Sequence, residues 1–389
     1  MVVTDTKYRR VLRAPGQSFF LLGPRGTGKS TWLRMELADA RRIDLLDEEV
    51  YQSYLVRPAL LADELRAVPP GSWVALDEVQ RLPDLLNQAH RFIEERGLRF
   101  ALCGSSARKL KRHGTNLLAG RALRLEMHPF LPEELGSDFS LGAALAHGTL
   151  PVVWQSGSRS EALSAYARLY LREEIQAEAT VRNLPGFARF LPIAALFHGR
   201  VLNVAGLARD AGVSRTTVDG YLEVLEDTLI AWRLPAFEAR LRVRERRHPK
   251  LYLFDPGVVR ALKGRPAGPP AHDEVGPLFE GWVASVLRAH ASTRDLFEEL
   301  AYWAPAEART TEVDFLLRRG SDLLAVEAKA GIAARPADLT GLRAIAGLRG
   351  LVRRVIVCTA ERPRLTEDGI EVLPVADFLD QVQAGRLWP

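Results

Sequence analysis

The first third of the chain alternates short apolar runs with segments of helical periodicity. The apolar runs are Phe19–Leu22, Ile43–Leu46, Trp73–Leu76 and Phe100–Cys103. Apolar strands that alternate with helices are typical of a parallel sheet whose two faces are both covered. The pattern therefore predicts an N-terminal α/β domain over residues 1–131.

The pattern changes after this domain. Residues 132–200 have helical periodicity with a Gly/Pro break at 148–151, and residues 201–263 have the compact pattern of a winged helix–turn–helix. A Gly- and Pro-rich stretch at 264–277 predicts a linker. Residues 278–389 predict a helix, three strands, a helix, a strand, and a final strand and helix. The predicted fold class is therefore α/β, with a helical middle between two α/β domains.

Composition narrows the class of protein. The chain has 389 residues, 47% hydrophobic and 26% charged, which is the balance of a globular protein and excludes a disordered chain or a fibre. Two cysteines, Cys103 and Cys358, are too few for a disulfide framework or a zinc cage. With no signal-peptide core and no apolar run long enough to span a bilayer, we expect a cytoplasmic protein without a membrane partner. The net charge of +5 permits nucleic-acid binding without requiring it.

The first chemical motif is a glycine-rich loop between a predicted strand and a predicted helix. The segment from Gly23 to Ser30 fits the pattern G-x4-G-K-[ST], whose backbone N–H groups surround phosphate oxygens. Lys29 is then expected to bridge the β- and γ-phosphates, and Ser30 to hold Mg²⁺. ATP and Mg²⁺ are the predicted cofactors. The predicted nucleotide-binding residues of this segment are Gly23, Pro24, Arg25, Gly26, Thr27, Gly28, Lys29, Ser30 and Thr31.

Polar residues that follow two later strands predict the rest of this site. Asp77 and Glu78 end an apolar strand, and ligands of parallel sheets lie at the carboxyl ends of the strands. We expect Asp77 to meet Mg²⁺ and Glu78 to polarise the attacking water. Ser105, with Ser106 as the alternative, is expected to contact the γ-phosphate or that water. Arg121 is the first candidate for a catalytic arginine, ahead of Arg108 and Arg124, and a solvated surface arginine is the alternative interpretation.

Several motifs together resemble one family of bacterial and archaeal ATPases, which have an AAA domain followed by a DUF4143 region. The resemblance rests on GPRGTGKST, WVALDEVQRLP, LCGSSARKL, LAGRALRLEMHPF and PKLYLFDPGVVRAL, in this order. It implies an AAA+-related, P-loop nucleotide fold. By analogy it also implies a homo-oligomer, with a hexameric ring as one form, in which Arg121 serves a neighbouring subunit.

The middle of the chain contains a helix–turn–helix pattern. Helices are predicted over Val204–Ala211 and Arg215–Asp227, with Ser214 as the cap of the second. The start of a second helix is where such motifs reach DNA, and a basic segment follows it. The alternative is a structural lid or a protein contact. The predicted DNA-contacting residues are Arg215, Thr216, Thr217, Arg240, Arg242, Arg244, Arg246, Arg247 and Lys250.

The last motif is a hairpin that carries carboxylates. A two-residue turn at Gly320-Ser321 places Asp314 opposite Glu327 and Glu312 opposite Lys329, all on one face. The other face carries apolar residues and can be buried. Directly opposed carboxylates can share Mg²⁺, and a lysine beside them can orient water. The residues of the apolar face are Val313, Phe315, Leu317, Leu324 and Val326.

This arrangement resembles the PD-(D/E)xK nuclease superfamily. That resemblance implies a restriction-endonuclease-like α/β domain over residues 278–389. Asp314 and Glu327 are the predicted metal ligands, and Glu280 and Lys329 are their companions. The alternatives are an ion-pair face, or a nuclease-like fold that does not cut.

Three functions remain open from the sequence. The first is an ATPase that binds and remodels branched or single-stranded DNA as an oligomer. The second is a regulatory or defence switch in which nucleotide state controls the binding of DNA or of a partner. The third is an ATP-regulated, metal-dependent nuclease.

Overall fold

The computed structural model describes residues 7–105, 118, 120–170, 183–239, 244–307 and 311–389. Within these ranges the chain forms α/β layers at both ends and a helical middle, as predicted. None of the helices in this part of the chain has the combination of length and apolar character that crossing a membrane requires.

The N-terminal sheet has the strand order β2-β3-β4-β1-β5, and its neighbouring strands are parallel. Alternate residues of β1 point to opposite faces, so that Phe20 and Leu22 enter one apolar core and Phe19 and Leu21 enter another. Burial on both faces explains why the strand is a continuous apolar run. The strands are β1 Phe19–Leu22, β2 Arg41–Asp44, β3 Trp73–Asp77, β4 Arg99–Gly104 and β5 Leu123–Glu126.

Two of these strands, β2 and β5, differ from what the sequence predicted. The strand predicted at Ile43–Leu46 begins two residues earlier, because Arg41 and Arg42 pair with the buried β3 and only Ile43 within β2 is buried. The edge strand β5 was not predicted because it is only four residues long and lacks the continuous apolar run of β1, β3 and β4; half of its residues are exposed. The helices of this domain are α1 Lys29–Glu36, α2 Glu48–Val56, α3 Ala59–Arg66 and α4 Leu85–Arg96.

The middle of the chain is helical, with a small sheet. The Gly/Pro break falls where expected: Gly148 ends one helix at a φ of +72°, and Pro151 begins the next. Tyr166–Tyr170 continue α8 as a π-helix. The helices described before the helix–turn–helix are α5 Pro132–Leu135, α6 Leu141–His147, α7 Pro151–Trp154, α8 Arg159–Ala165 and α9 Leu184–Leu196.

The predicted helix–turn–helix is confirmed residue by residue. Helix α10 is Val204–Ala211 and α11 is Arg215–Asp227, and Gly212 ends the first with a left-handed φ of +64°. The hydroxyl of Ser214 caps α11 by accepting the N–H of Thr217. The adjoining sheet has the order β6-β8-β7, from Arg200–Val201, Lys250–Leu253 and Ala231–Leu234.

The predicted linker at 264–277 is only partly irregular. Helix α12 covers Pro256–Leu262, and the long helix α13 begins at His272, inside the predicted linker, and runs to Arg294. The Glu274 carboxylate accepts the N–H of Ala271 at the start of α13, and acidic residues in the first turn suit the helix dipole. This capping offsets the Gly/Pro composition that suggested a linker.

The C-terminal sheet has the order β13-β14-β12-β11-β10-β9. The hairpin of β10 and β11 has the predicted register, with Arg319 opposite Asp322 across a turn in which Gly320 has a φ of +57°. Two short helices, α14 Thr340–Ala344 and α15 Val375–Gln383, pack on this sheet. The strands are β9 Glu299–Trp303, β10 Val313–Arg319, β11 Asp322–Lys329, β12 Leu351–Cys358, β13 Arg364–Leu365 and β14 Glu371–Pro374.

One detail of the hairpin differs from expectation. Both of its faces are buried, and Val313 packs with Leu316 rather than with Phe315. The cause is an irregularity between Val313 and Leu316 where β10 pairs with β9, which breaks the strict alternation of faces. The second face is covered because the sheet lies between two layers of apolar residues.

Candidate functional site

The loop from Gly23 to Ser30 wraps around the start of α1. Gly26 and Gly28 have φ values of +83° and +87°, a left-handed conformation that favours glycine. Lys29, Ser30 and Thr31 follow in the first turn of the helix. The N–H groups of this first turn have no partner within the helix, and the helix dipole adds positive potential there. The local backbone is therefore shaped for a phosphate group.

The side chain of Lys29 folds back across this loop. Its Nζ donates hydrogen bonds to the carbonyl oxygens of Gly23 at 2.8 Å and of Pro24 at 3.2 Å, and only 6% of the residue is exposed. Thr27 Oγ1 also donates to the Pro24 carbonyl, at 2.8 Å. Neutral carbonyl groups hold the ammonium in place without cancelling its charge. The arrangement suits an anion that approaches the loop.

The loop is pressed against two neighbouring segments. A side chain at Gly23 would collide with the backbone of Met127, just after β5. On the other side, Tyr166 Oη donates to the Arg25 carbonyl at 2.9 Å, and the Val152 N–H lies 3.4 Å from the Gly26 carbonyl. The helical middle therefore contacts the loop directly.

Asp77 and Glu78 lie at the carboxyl end of β3, as the parallel-sheet argument requires. Asp77 Oδ1 accepts the N–H of Glu78 at 3.1 Å, and Glu78 has a left-handed φ of +55°. Burial, and then the nearby Asp77 carboxylate, raises the pKa of Cys103 well above its usual value, so this thiol stays protonated. Oxygen ligands at this edge of the sheet are what Mg²⁺ prefers.

A residue that sequence reasoning missed connects two of the predicted ones. The amide nitrogen of Gln80 donates hydrogen bonds to the Glu78 carboxylate and, at 3.1 Å, to Ser105 Oγ. Gln80 is 7% exposed, and a side chain at Gly104 would collide with its amide. The sequence signal for Gln80 was a polar residue two positions after Glu78. In the structure this residue lies in a short 3-10 turn, Val79–Arg81.

Two of the candidate catalytic arginines, Arg121 and Arg124, form ion pairs with carboxylates outside the glycine-rich loop. Arg121 forms an ion pair with Glu94 of α4 and is partly exposed. Arg124 pairs with Glu126 at 2.7 Å. Arg108 and Ser106 lie outside the described residues. The role of Arg121 as a catalytic arginine for a neighbouring subunit therefore stays a prediction.

The N-terminal sheet is also joined to the C-terminal half. Arg288 of α13 binds Glu126 of β5 at 2.9 Å, and Ser292 of the same helix is hydrogen-bonded to His128 at 2.8 Å. Glu126 and His128 flank Met127, which packs on the glycine-rich loop. A short path of direct contacts therefore leads from the loop to α13.

The helix–turn–helix presents part of the predicted DNA surface. Arg215 and Thr216 are exposed at the start of α11, whereas Thr217 is half-buried. The hydroxyls of both threonines are bonded to Ser214 Oγ, at 2.9 Å and 2.8 Å. They therefore support the helix start. Among the basic residues, Arg244 and Arg247 are exposed, Arg246 is half-buried, and Arg240 and Arg242 lie outside the described residues.

Lys250 differs from the expectation of a surface phosphate contact. It lies on β8 with 1% of the residue exposed. Its Nζ is 2.9 Å from Glu280 Oε1, 3.2 Å from Asp314 Oδ1 and 3.3 Å from Glu312 Oε1. Lys250 is buried in ion pairs with three carboxylates and is therefore not available to contact DNA. No periodicity links residue 250 to 280 or 314, so the sequence pattern held no signal for the contact.

The predicted hairpin residues do converge on this cluster. Asp314 is fully buried and Glu327 nearly so, and Lys329 Nζ lies 2.5 Å from Glu327 Oε1 and 3.5 Å from Asp314 Oδ2. Burial, and then the Asp314 carboxylate, raises the pKa of Glu327 well above its usual value. The same two causes raise the pKa of Glu280 to about 7. Burial in this cluster therefore favours the protonated form of these two carboxyl groups more than water does.

Comparison with protein families divides the chain into three matched segments. Residues 16–136 match the family model of an AAA domain. Residues 139–268 match a domain of unknown function, DUF8612, and residues 275–378 match another, DUF4143.

Individual proteins are similar at a lower level. The uncharacterized protein Rv2008c of Mycobacterium tuberculosis is 28% identical over 308 residues, which cover 76% of this chain and 67% of the relative. The uncharacterized protein Mb2031c of Mycobacterium bovis matches to the same extent. Among solved structures, the Walker-type ATPase PABY2304 of Pyrococcus abyssi aligns with a TM-score of 0.42 and 18% identity, over 63% of this chain and 90% of that one.

Proposed function

We propose that this chain, in which an AAA domain precedes the DUF8612 and DUF4143 domains, hydrolyses ATP and couples hydrolysis to the binding and remodelling of DNA. The observation that carries the proposal is the convergence at one sheet edge of a left-handed glycine loop, a buried lysine and two carboxylates.

Each residue of this edge has a role in the proposed reaction. Lys29 would bind the β- and γ-phosphates, and Ser30 and Asp77 would hold Mg²⁺, which would supply positive charge beside the phosphates. Glu78 polarises the water that attacks the γ-phosphate. Gln80 and Ser105 fix the position of the Glu78 carboxylate through hydrogen bonds.

The DNA part of the proposal rests on charge and shape. The exposed start of α11, with Arg215, and the basic segment that contains Arg244 and Arg247 are available to contact phosphates. The partly exposed Arg121 is available to a neighbouring copy of the chain in an oligomer, ring-shaped or otherwise.

A second function is favoured by a specific set of contacts. Tyr166 binds the loop carbonyl of Arg25, and Glu126 joins the sheet to Arg288. Through these contacts, the nucleotide state of the loop can change the conformation of the middle and C-terminal parts of the chain. This coupling does not require a continuous motor cycle. In this alternative the chain is an ATP-gated switch, and hydrolysis resets it.

One experiment tests the proposal and separates the two functions. ATP hydrolysis by the full chain is measured with Mg²⁺, alone and with single-stranded, duplex and branched DNA, at two salt concentrations. We expect hydrolysis that Lys29→Ala and Glu78→Gln abolish and that DNA stimulates. Arg215→Ala with Arg244→Ala should remove the stimulation, whereas the exposed Arg335→Ala should not.

The possible results are distinct. Slow hydrolysis that is indifferent to every DNA, together with ATP-dependent DNA affinity, identifies the switch. Absence of nucleotide binding by calorimetry, in the wild type as in Lys29→Ala, refutes both functions.

A further inference from the structure

The C-terminal carboxylate cluster does not fit the metal that its resemblance to nucleases implies. Such a metal would share oxygen atoms of Asp314, Glu327 and Glu280. The ammonium of Lys250 already contacts Glu280 Oε1 and Asp314 Oδ1, at 2.9 Å and 3.2 Å. Among the described residues, no group of three or more His, Cys, Asp or Glu side chains has the geometry to hold a metal ion.

Lys250 is held in this position by its backbone. It lies on β8, the central strand of the three-stranded sheet, and pairs with Val201 of β6 and Leu234 of β7. Its side chain is 1% exposed and Asp314 is fully buried, so solvent does not separate the two charges. Withdrawal of the ammonium would require this sheet to move away from the C-terminal domain.

We propose that Lys250 is the resident cation of the carboxylate cluster and holds the C-terminal domain in a metal-free state that does not cleave nucleic acid. The site therefore binds an ammonium group of the same chain, supplied by the winged-helix region, in place of a divalent cation. This inference goes beyond the ATPase proposal and does not depend on it.

Electrostatics and geometry prevent the Lys250 ammonium and a divalent cation from occupying the cluster at the same time. A divalent cation needs oxygen atoms at about 2.1 Å, and Lys250 shares the same oxygen atoms. Two cations at such short range in a buried site repel each other strongly. Lys329 contributes a second ammonium to the same carboxylates. Four carboxyl groups, those of Glu280, Glu312, Asp314 and Glu327, thus face two ammonium groups.

The contact also joins two parts of the fold. Tyr252, two residues after Lys250 on β8, donates its hydroxyl to Glu280 Oε1 at 2.5 Å. Lys250 and Tyr252 therefore connect the three-stranded sheet to helix α13 through Glu280, and Lys250 also connects it to the hairpin through Asp314. The cluster acts as an internal clamp whose opening would expose an acidic site.

The test measures Mn²⁺ binding to the nucleotide-free full chain by electron paramagnetic resonance. We expect Asp314→Asn to leave Mn²⁺ binding of the otherwise wild-type chain unchanged, because the cluster is closed. Lys250→Ala should bind Mn²⁺ about tenfold more tightly or better, and the added binding should vanish in Lys250→Ala with Asp314→Asn. Lys263→Ala removes another lysine, at the C-terminal end of α12 and outside the cluster, and should resemble the wild type.

A parallel assay follows cleavage of single-stranded and duplex DNA with Mg²⁺ or Mn²⁺. We expect the wild type not to cleave. Wild-type cleavage, or wild-type Mn²⁺ binding, that Asp314→Asn removes would overturn the proposal even if Lys250→Ala fails to fold. A folded Lys250→Ala chain that gains no Mn²⁺ affinity would overturn it as well.

Discussion

The amide nitrogen of Gln80 donates a hydrogen bond to the carboxylate of Glu78, the residue proposed to polarise the attacking water. The same nitrogen also donates to Ser105 at the end of β4. One buried amide therefore fixes the carboxylate relative to two neighbouring strands. The orientation of Glu78 depends on Gln80 in a way that a substitution can measure.

We predict that Gln80→Ala lowers kcat for ATP hydrolysis about tenfold and leaves KM nearly unchanged, because misplacement of a catalytic group affects the chemical step more than binding. Steady-state kinetics checks this prediction. Gln52→Ala removes an amide that bonds to Glu48 on the surface and serves as the control. An unchanged kcat in Gln80→Ala would show that Gln80 does not position Glu78.

We predict that Tyr166→Phe weakens nucleotide binding about fivefold, the effect of one lost hydrogen bond near 1 kcal/mol. The hydroxyl of Tyr166 restrains the glycine-rich loop through the Arg25 carbonyl. Tyr221→Phe is a matched control, because it removes a hydroxyl that donates to the backbone carbonyl of Asn183 at the same 2.9 Å, away from the loop. Calorimetric titration with ADP should separate the two variants, and equal affinities would contradict the restraint.

We predict a coupling free energy of about 1 kcal/mol between Glu126 and Arg288, since their ion pair is partly buried. The measurement is a double-mutant cycle of unfolding free energies with Glu126→Gln and Arg288→Gln. The exposed pair of Arg91 and Glu95 within α4 provides the comparison and should couple less. Independent effects of the two substitutions would mean that the ion pair does not hold β5 to α13.

We predict that His198 makes the folded state less stable as the pH falls from about 6.5 to about 3. Burial lowers the pKa of His198 to about 3, so the unfolded chain binds a proton there that the folded chain does not. The lost stability is at most about 1.4 kcal/mol for each pH unit in that window. The neutral ring is required because His198 Nδ1 accepts the N–H of Leu253 at 3.1 Å.

Denaturant unfolding of His198→Asn at several pH values checks this expectation. Asparagine offers an acceptor near the position of Nδ1 and does not titrate, so the dependence of unfolding free energy on pH should become flatter. The same substitution at the exposed His272 is the control. An equal slope in His198→Asn and the wild type would refute the assignment.

Local patterns predicted those parts of the fold that depend on local physics. The glycine loop, the helix–turn–helix with its Ser214 cap and the hairpin turn at Gly320 are specified by residues a few positions apart. The start of α13 was missed because one capping carboxylate, that of Glu274, outweighed a Gly/Pro composition over many residues. Composition is an average, whereas a cap is a single contact.

The candidate site was predictable to the same extent. Lys29, Asp77 and Glu78 lie in patterns whose chemistry is set by position along a strand or a loop. Gln80 and Lys250 act through contacts that only the folded chain creates, with Ser105 25 positions away in one case and Asp314 64 positions away in the other. A lysine in a basic segment has the same sequence pattern whether it faces solvent or enters a buried acidic cluster.

Helix α13 has one mechanical consequence. Glu280 in its third turn contacts Lys250, and Arg288 two turns later contacts Glu126 of the N-terminal sheet. The two positions are about 12 Å apart along one rigid rod. A small tilt of α13 at Arg288 would also displace Glu280. A change at the glycine-rich loop can therefore reach the carboxylate cluster through one helix, without an intermediate loop.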